Sequence, residues 1–82
     1  MHIVYVLTSI FNPERSYVGY TTNVMRRLKE HNEKKVKGYS NHYVPWKLVV
    51  AIDFTEKKLA LRFERYLKSG SGHAFLKKHF LP

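Results

Sequence analysis

The sequence contains no cysteine, which excludes a disulfide scaffold, a thiolate zinc site and a cysteine nucleophile. Acidic residues are scarce, six Asp and Glu against fifteen Lys and Arg. Long apolar runs are missing too. The stretch Ile3 to Phe11 is interrupted by Thr8 and Ser9 and lacks the basic start and small-residue cleavage site of a signal peptide. Nothing approaches the roughly 20 apolar residues of a membrane span. No repeat or linker divides the chain, so residues 1–82 are expected to form a single domain. Hydrophobic residues make up 44% and aromatic residues 15%, enough for one compact core and too much for a disordered tail. The default expectation is a soluble cytoplasmic protein.

What is present in excess is positive charge, and it is unevenly placed. The formal net charge is +9. Residues 1–25 are neutral, holding only Glu14 and Arg15, whereas residues 26–82 carry fourteen basic and five acidic residues. From Lys57 onward a single acid, Glu64, stands among seven basic residues. One-sided charge of this kind attracts polyanions, with an affinity that falls as salt rises. A solubility-promoting surface, a membrane-surface contact or a ribosomal contact would carry the same charge, and charge by itself implies no chemistry.

The pattern along the chain predicts an α+β fold. His2 to Thr8 is rich in β-branched and aromatic residues and apolar on both alternating phases, as in a strand covered on both faces. Asn12-Pro13-Glu14-Arg15 is turn chemistry, and Ser16 to Tyr20 completes a hairpin. Thr21, Thr22 and Asn23 offer caps for an amphipathic helix carrying Val24, Met25 and Leu28 and ending near Asn32. Lys34 to Pro45 is a polar loop, and Lys47 to Phe54 a buried third strand. Thr55 caps a second helix whose core side carries Leu59, Ala60, Phe63 and Leu67. Ser69-Gly70-Ser71-Gly72 stops it, and His73 to Phe80 forms a short last helix. The expected architecture is an α/β sandwich, a small three-stranded antiparallel sheet flanked by helices in the order β-β-α-β-α-α.

Ile3-Val4-Tyr5 on the first strand and Tyr17-Val18-Gly19 on the second resemble the paired signatures of the GIY-YIG nuclease domain. Thr21 to His31 resembles the helix that follows in that family, with Arg27 and His31 at its two polar positions. Glu64, within Leu61-Arg-Phe-Glu-Arg-Tyr-Leu67, falls where the family keeps a metal-binding glutamate. The resemblance covers nearly the whole chain, including Lys68 to Lys77, and is nearest to short stand-alone members described as UvrC-like, or excinuclease-subunit-C-domain, proteins. Any one tripeptide is weak evidence, but five elements in the right order and spacing are specific. The chain departs from the pattern by carrying Ile3 where the namesake has glycine, and no residue matches the late asparagine of some homing endonucleases. Larger relatives carry a separate DNA-targeting domain, which is not expected in these 82 residues.

The resemblance implies a metal-dependent DNA endonuclease acting in repair or recombination, and the residues make chemical sense of that. Phosphodiester hydrolysis needs an activated water and stabilisation of the charge that develops on the phosphate. Glu64 is a hard oxygen ligand, and one carboxylate plus waters is a common way to hold Mg²⁺ or Mn²⁺. Equally, Glu64 reads as a surface glutamate in salt bridges with Arg62, Arg65 or Lys68. Arg27 and His31 are four apart on one helix face. That arginine can clamp a phosphate bidentately and the neutral imidazole can relay a proton, although the same face would also suit plain solvation. Tyr5 and Tyr17 would face one another across the hairpin if its turn is centred near Phe11. The family implies Tyr5 as general base or water-positioner and Tyr17 as a second phenol on the phosphate or water. A free phenol is only about 0.3% ionised at pH 7.5, so a base there needs a cation such as Arg27 close by. Otherwise strand tyrosines simply pack. Gly19 admits a close approach of backbone.

Cations mix with aromatics in the loop from Lys34 to Val44, a combination that tracks a phosphate backbone and stacks on an unpaired base. Lys34, Lys35, Lys37, Tyr39 and His42, together with Arg26 and Lys68, are therefore the expected nucleic-acid-binding residues. His2, His73 and His79 show no metal-ligand spacing. Trp46 is expected to pack in the core or at its edge. The expected partner is DNA, with one Mg²⁺ or Mn²⁺ ion, a protein partner for targeting, and a monomer as the default. The competing reading is a non-catalytic basic nucleic-acid-binding module acting through a partner.

Overall fold

A computed structural model describes residues 1–81. Its elements follow the expected order: β1 (His2–Ser9), β2 (Ser16–Thr21), α1 (Val24–Asn32), a short 3-10 turn (Tyr39–His42), β3 (Trp46–Phe54), α2 (Lys57–Leu67) and α3 (Gly70–His79). The sheet is antiparallel throughout, with strand order β2-β1-β3. β1 is thus the central strand, and every residue from Ile3 to Ser9 is buried. That is why its sequence is apolar on both phases. β3 lies at the sheet edge and is only half-buried, with Ala51 and Asp53 exposed, instead of the fully buried strand its aliphatic run suggests.

The two faces of the sheet receive different helices. Val4, Val6 and Val18 pack with Ala60 and Leu67 of α2 and Leu76 of α3. On the opposite face Ile3, Tyr5, Leu7 and Trp46 form a second cluster with Tyr17, Val24 and Leu28. Met25, expected on the apolar side of α1, points outward and is 64% exposed. Asn23 caps α1 by accepting from the Arg26 N–H at 3.1 Å. The other end of α1 is pinned by Asn32, whose side-chain N–H donates to the Trp46 carbonyl at 3.0 Å and whose Oδ1 accepts from Trp46 N–H at 2.6 Å. Trp46 Nε1 in turn donates to the Ser40 carbonyl at 2.8 Å. These bonds satisfy helix-end and turn groups in a part-buried place and set the position of α1 over the sheet.

Two local readings are corrected. The N-cap of α2 is Glu56, not Thr55, and it makes no side-chain capping bond. Ser69 to Gly72 does not form a helix-stopping run: α2 ends at Leu67, Ser69 caps α3 by accepting from Gly72 N–H, and both glycines belong to α3. Gly72 is there because a Cβ would lie 2.5 Å from Leu67 Cα, against the last turn of α2. Close helix packing requires the missing side chain.

Candidate active site

α1 lays a stripe of Val24, Leu28 and His31 on the sheet, the i, i+4, i+7 spacing of a buried helix face. That spacing in the sequence marks His31 as inward-facing. Arg27 and His31 therefore do not share a solvated polar face. His31 is fully buried, whereas the Arg27 side chain is 36% exposed at the rim.

On the sheet below, Tyr5 stands opposite Gly19 and Leu7 opposite Tyr17. Tyr5 and Tyr17 are consequently diagonal neighbours, not a facing pair, because the hairpin closes between Ser9 and Arg15, beyond Phe11. Their rings still meet, with centroids 6.2 Å apart. The role of Gly19 differs from that expected: a Cβ there would lie 2.5 Å from Tyr5 Cζ, so the glycine makes room for a phenol, not for another backbone. Tyr5 Oη lies 2.9 Å from His31 Nε2, and the Tyr17 ring packs edge-on against His31 at 4.6 Å. Strand and helix thus assemble Tyr5, Tyr17 and His31 into one cluster under Arg27.

The electrostatics follow from burial. Desolvation pushes the Tyr5 phenol up to about 12, against the pull of the neighbouring Arg27 guanidinium and with smaller upward contributions from Tyr17 and Glu64. In this environment the phenol is protonated at neutral pH. Desolvation, with Arg27 adding to it, lowers His31 to about 4, so the imidazole is neutral. In the tautomer with its proton on Nδ1, Nε2 accepts from the Tyr5 O–H. The buried Nδ1 has no partner of its own. Arg27 is raised by the Tyr5 hydroxyl and by Glu30, which outweigh the opposing effect of burial, and its Nη1 donates to Glu30 Oε1 at 3.1 Å. The guanidinium is held on one side by α1 itself and on the other by the phenol.

Glu64 comes from the opposite layer. Its α2 side chain is 20% exposed and accepts from Lys68 Nζ at 3.0 Å. Of the three basic neighbours in sequence, only Lys68 takes it. Its charge makes a small upward contribution to the Tyr5 phenol. Among the described residues no three of His, Cys, Asp and Glu gather as a metal cage. A single half-buried carboxylate nevertheless suits Mg²⁺ or Mn²⁺, which keep several waters and take further oxygens from a phosphate.

The nucleic-acid-binding candidates Arg26, Lys34, Lys35, Lys37, Tyr39, His42 and Lys68 are all exposed. They do not all line one cleft. Tyr39 and Lys68 share a cleft of about 690 Å³ along β2, also lined by Tyr17, Arg15, Ser69 and His73. Arg26, Lys34, Lys35, Lys37 and His42 lie outside it, and Lys35 is paired with Glu33 at 3.1 Å. Arg15 and His73 were not among the expected binders. Arg15 sits in turn chemistry, and His73 opens no spacing pattern, so only the fold brings them to the cleft.

A family model of the GIY-YIG catalytic domain matches residues 1–78. The chain belongs to the GIY-YIG family. The structure-specific endonuclease subunit SLX1 of Candida dubliniensis is 38% identical over 82 residues, covering 93% of this chain and 27% of that protein. An SLX1 homolog of Giardia intestinalis is 39% identical over 62 residues, 72% of this chain and 17% of that protein. The chain therefore spans well under a third of these SLX1 relatives. A UPF0213 protein of Bacillus licheniformis is 39% identical over 67 residues, 82% of this chain and 67% of that protein. The solution NMR structure of a UPF0213 protein from Bacillus halodurans shares 34% identity with a TM-score of 0.55, over 94% of this chain and 82% of that one. The GIY-YIG β-β-α-β-α-α arrangement is thus present here. No helix among the described residues is long and apolar enough to cross a membrane.

Proposed function

We propose that this GIY-YIG domain is a divalent-metal-dependent endonuclease that hydrolyses DNA phosphodiesters, with Tyr5, Tyr17, Arg27, His31 and Glu64 as its working residues. The observation that carries the reading is the meeting of four of these groups. The Tyr5–His31 pair, Tyr17 and Arg27 come together on one face, while Glu64 arrives from another helix within electrostatic range of Tyr5. Salt bridges alone would not need a buried Tyr–His pair beneath an arginine.

Arg27, at the rim and held by Glu30, clamps a non-bridging phosphate oxygen and offsets the charge that grows in the transition state. Tyr17, half-exposed and packed against His31, orients the phosphate or the attacking water. Tyr5 works as a neutral phenol. Its O–H donates to His31 Nε2, which fixes the phenol and leaves its oxygen to accept a hydrogen bond from the attacking water and so position it. Positioning of this kind needs no standing phenolate, which matters because the Tyr5 pKa is about 12. Glu64 is the ligand for one Mg²⁺ or Mn²⁺, which when bound would polarise the phosphate and acidify water. Exposed Arg26, Lys34, Lys35, Lys37, Tyr39, His42 and Lys68 supply backbone affinity. The SLX1 relatives are named as subunits of structure-specific endonucleases, which supports a protein partner for targeting and a place in DNA repair or recombination.

The burial of Tyr5 and His31, 1% and 0% exposed, favours a second reading, a nucleic-acid-binding module whose reactive groups stay sealed. Mg²⁺- and Mn²⁺-dependent cleavage of linear, flapped, branched and single-stranded DNAs separates the two. The nuclease reading expects metal-dependent cleavage that Glu64→Gln and Arg27→Ala both abolish while remaining folded. Salt-sensitive binding with no strand breaks on every DNA would establish the binder instead.

A further inference from the structure

The outer edge of β2 runs from the candidate active site into the 690 Å³ cleft. Gly19, against Tyr5, marks one end and Ser16, in the cleft wall, the other. Three residues of strand span about 10 Å, the scale of a nucleotide or two of extended chain. Arg15, Tyr17 and Tyr39 line the cleft from the hairpin and the 3-10 turn, and Lys68, Ser69 and His73 line it from the end of α2 and the start of α3. The one acid in this lining is Glu14. Basic and aromatic side chains therefore line one space of the size that takes a small ligand.

Tyr39 is the distinctive member. Its ring stacks on Tyr17 with centroids 6.5 Å apart and an interplanar angle of 20°, and it leans on Tyr43 at 5.1 Å and Trp46 at 6.2 Å. The Tyr43 ring is itself covered by Arg15 at 5.1 Å. Three aromatic neighbours hold Tyr39 in place, yet it remains 42% exposed. A packing tyrosine would be covered, and a freely solvated one would not be braced. A braced, exposed aromatic face is a stacking platform, and stacking is tolerant of base identity. In a duplex each base face is already covered by its neighbours, so only an unpaired or extruded base can lie on Tyr39.

The geometry points to a subsite for an unpaired nucleotide beside the scissile phosphate, with its base on Tyr39 and its phosphates near Arg15, Lys68 and His73. It rests on the DNA-hydrolysis reading for the identity of the polymer, and it narrows the substrate to DNA with unpaired nucleotides at the cut, such as overhangs, flaps and gaps. Arg15, His73 and Tyr39 become determinants of that choice.

The test uses oligonucleotides carrying 2-aminopurine, a base whose fluorescence falls on stacking, bound to the Glu64→Gln protein so that cleavage plays no part. The expected result is quenching by single-stranded and flapped DNA with the probe next to the junction, and tighter binding of these than of blunt duplex. Tyr39→Ala should abolish the quenching and weaken single-strand binding tenfold or more, with a much smaller loss on duplex. Tyr39→Phe, which keeps the ring, should retain both and shows that the loss is not misfolding. Equal weakening on both DNAs, quenching that survives Tyr39→Ala, or a Tyr39→Phe protein that behaves like Tyr39→Ala would overturn the subsite. Failure of the hydrolysis reading looks different: the wild type would quench and prefer unpaired DNA yet cleave none.

Discussion

The two faces of the sheet are built on opposite principles. The face under α2 and α3 is sealed with Val4, Val6, Val18, Ala60, Leu67 and Leu76, all apolar. The face under α1 buries a phenol, an imidazole and an indole, and leaves His31 Nδ1 without a partner. Apolar burial contributes about 25 cal/mol per Å² whatever the orientation of the side chain. Buried polar groups contribute little net and are costly when unpaired. The first face therefore supplies stability, and the second gives up some of it to hold Tyr5, His31 and Tyr17 in fixed relation. β1 serves both, since alternate residues of one strand point to opposite faces. Glu64 stands on α2, in the layer of the first face, and its charge adds a small upward contribution to the Tyr5 phenol.

Substitutions on the two faces should fail in different ways. Leu67→Ala, at a site with 1% exposure, should cost about 2–5 kcal/mol and lower Tm by ~10 °C or more, with activity per folded molecule kept. A smaller loss by thermal denaturation would mean that α2 is not the main support.

The α1 face should show itself through pH. Unfolded His31 takes up a proton near its ordinary value of 6.5, while the buried imidazole refuses one until about 4. Stability is therefore full above pH 6.5 and is lost as pH falls through that window, by an order of ~3 kcal/mol. Urea unfolding of wild type and His31→Phe from pH 7 to 4 should show the acid slope shrinking in the variant. Tyr5 has the opposite limb. Its phenol is raised from 10.0 to about 12, so stability should fall as pH rises across that range, and Tyr5→Phe should remove the fall.

Glu64→Gln should separate the faces most cleanly, with cleavage down at least a hundredfold, ~2.7 kcal/mol on the barrier. Its stability should change by only ~0.5 kcal/mol, because the Lys68 pair lost is exposed on the lysine side. The smallest effect belongs to neither face. Lys29 and Glu33, at 4.0 Å and well exposed, should contribute about 0.3 kcal/mol or less, and Glu33→Ala should leave cleavage as it was.

The apolar face was the easier to read in the sequence. Alternating β-branched residues and the Ala60, Phe63, Leu67 spacing fix which sides of β1 and α2 are covered, and element order follows. The α1 face was legible in its candidates more than in their arrangement. The family resemblance singles out Tyr5, Tyr17, Arg27, His31 and Glu64, but the Tyr5–Tyr17 offset depends on where the turn closes, which Asn12-Pro13 leaves open by a residue or two. The burial of His31 was hidden by its charged neighbours Arg26, Arg27, Lys29 and Glu30, although its distance from Val24 and Leu28 carries the signal. Gly70 and Gly72 read as a stop because glycine usually ends helices. Only the nearness of Leu67 shows that one of them is a packing residue. The β2 cleft was not legible, because Arg15, Tyr39 and His73 meet only in three dimensions.

The central claim is that Glu64, from the layer of the apolar face, and Arg27, from the polar one, serve a single hydrolytic step. A double-mutant cycle under single-turnover conditions with Mn²⁺ tests it most directly, using Glu64→Gln, Arg27→Lys and the pair. Residues acting as one unit are strongly non-additive, so the double variant should cleave about as fast as the slower single variant. Rate losses that multiply, leaving the double variant slower by the product of the two, would contradict the claim and place Glu64 outside the site.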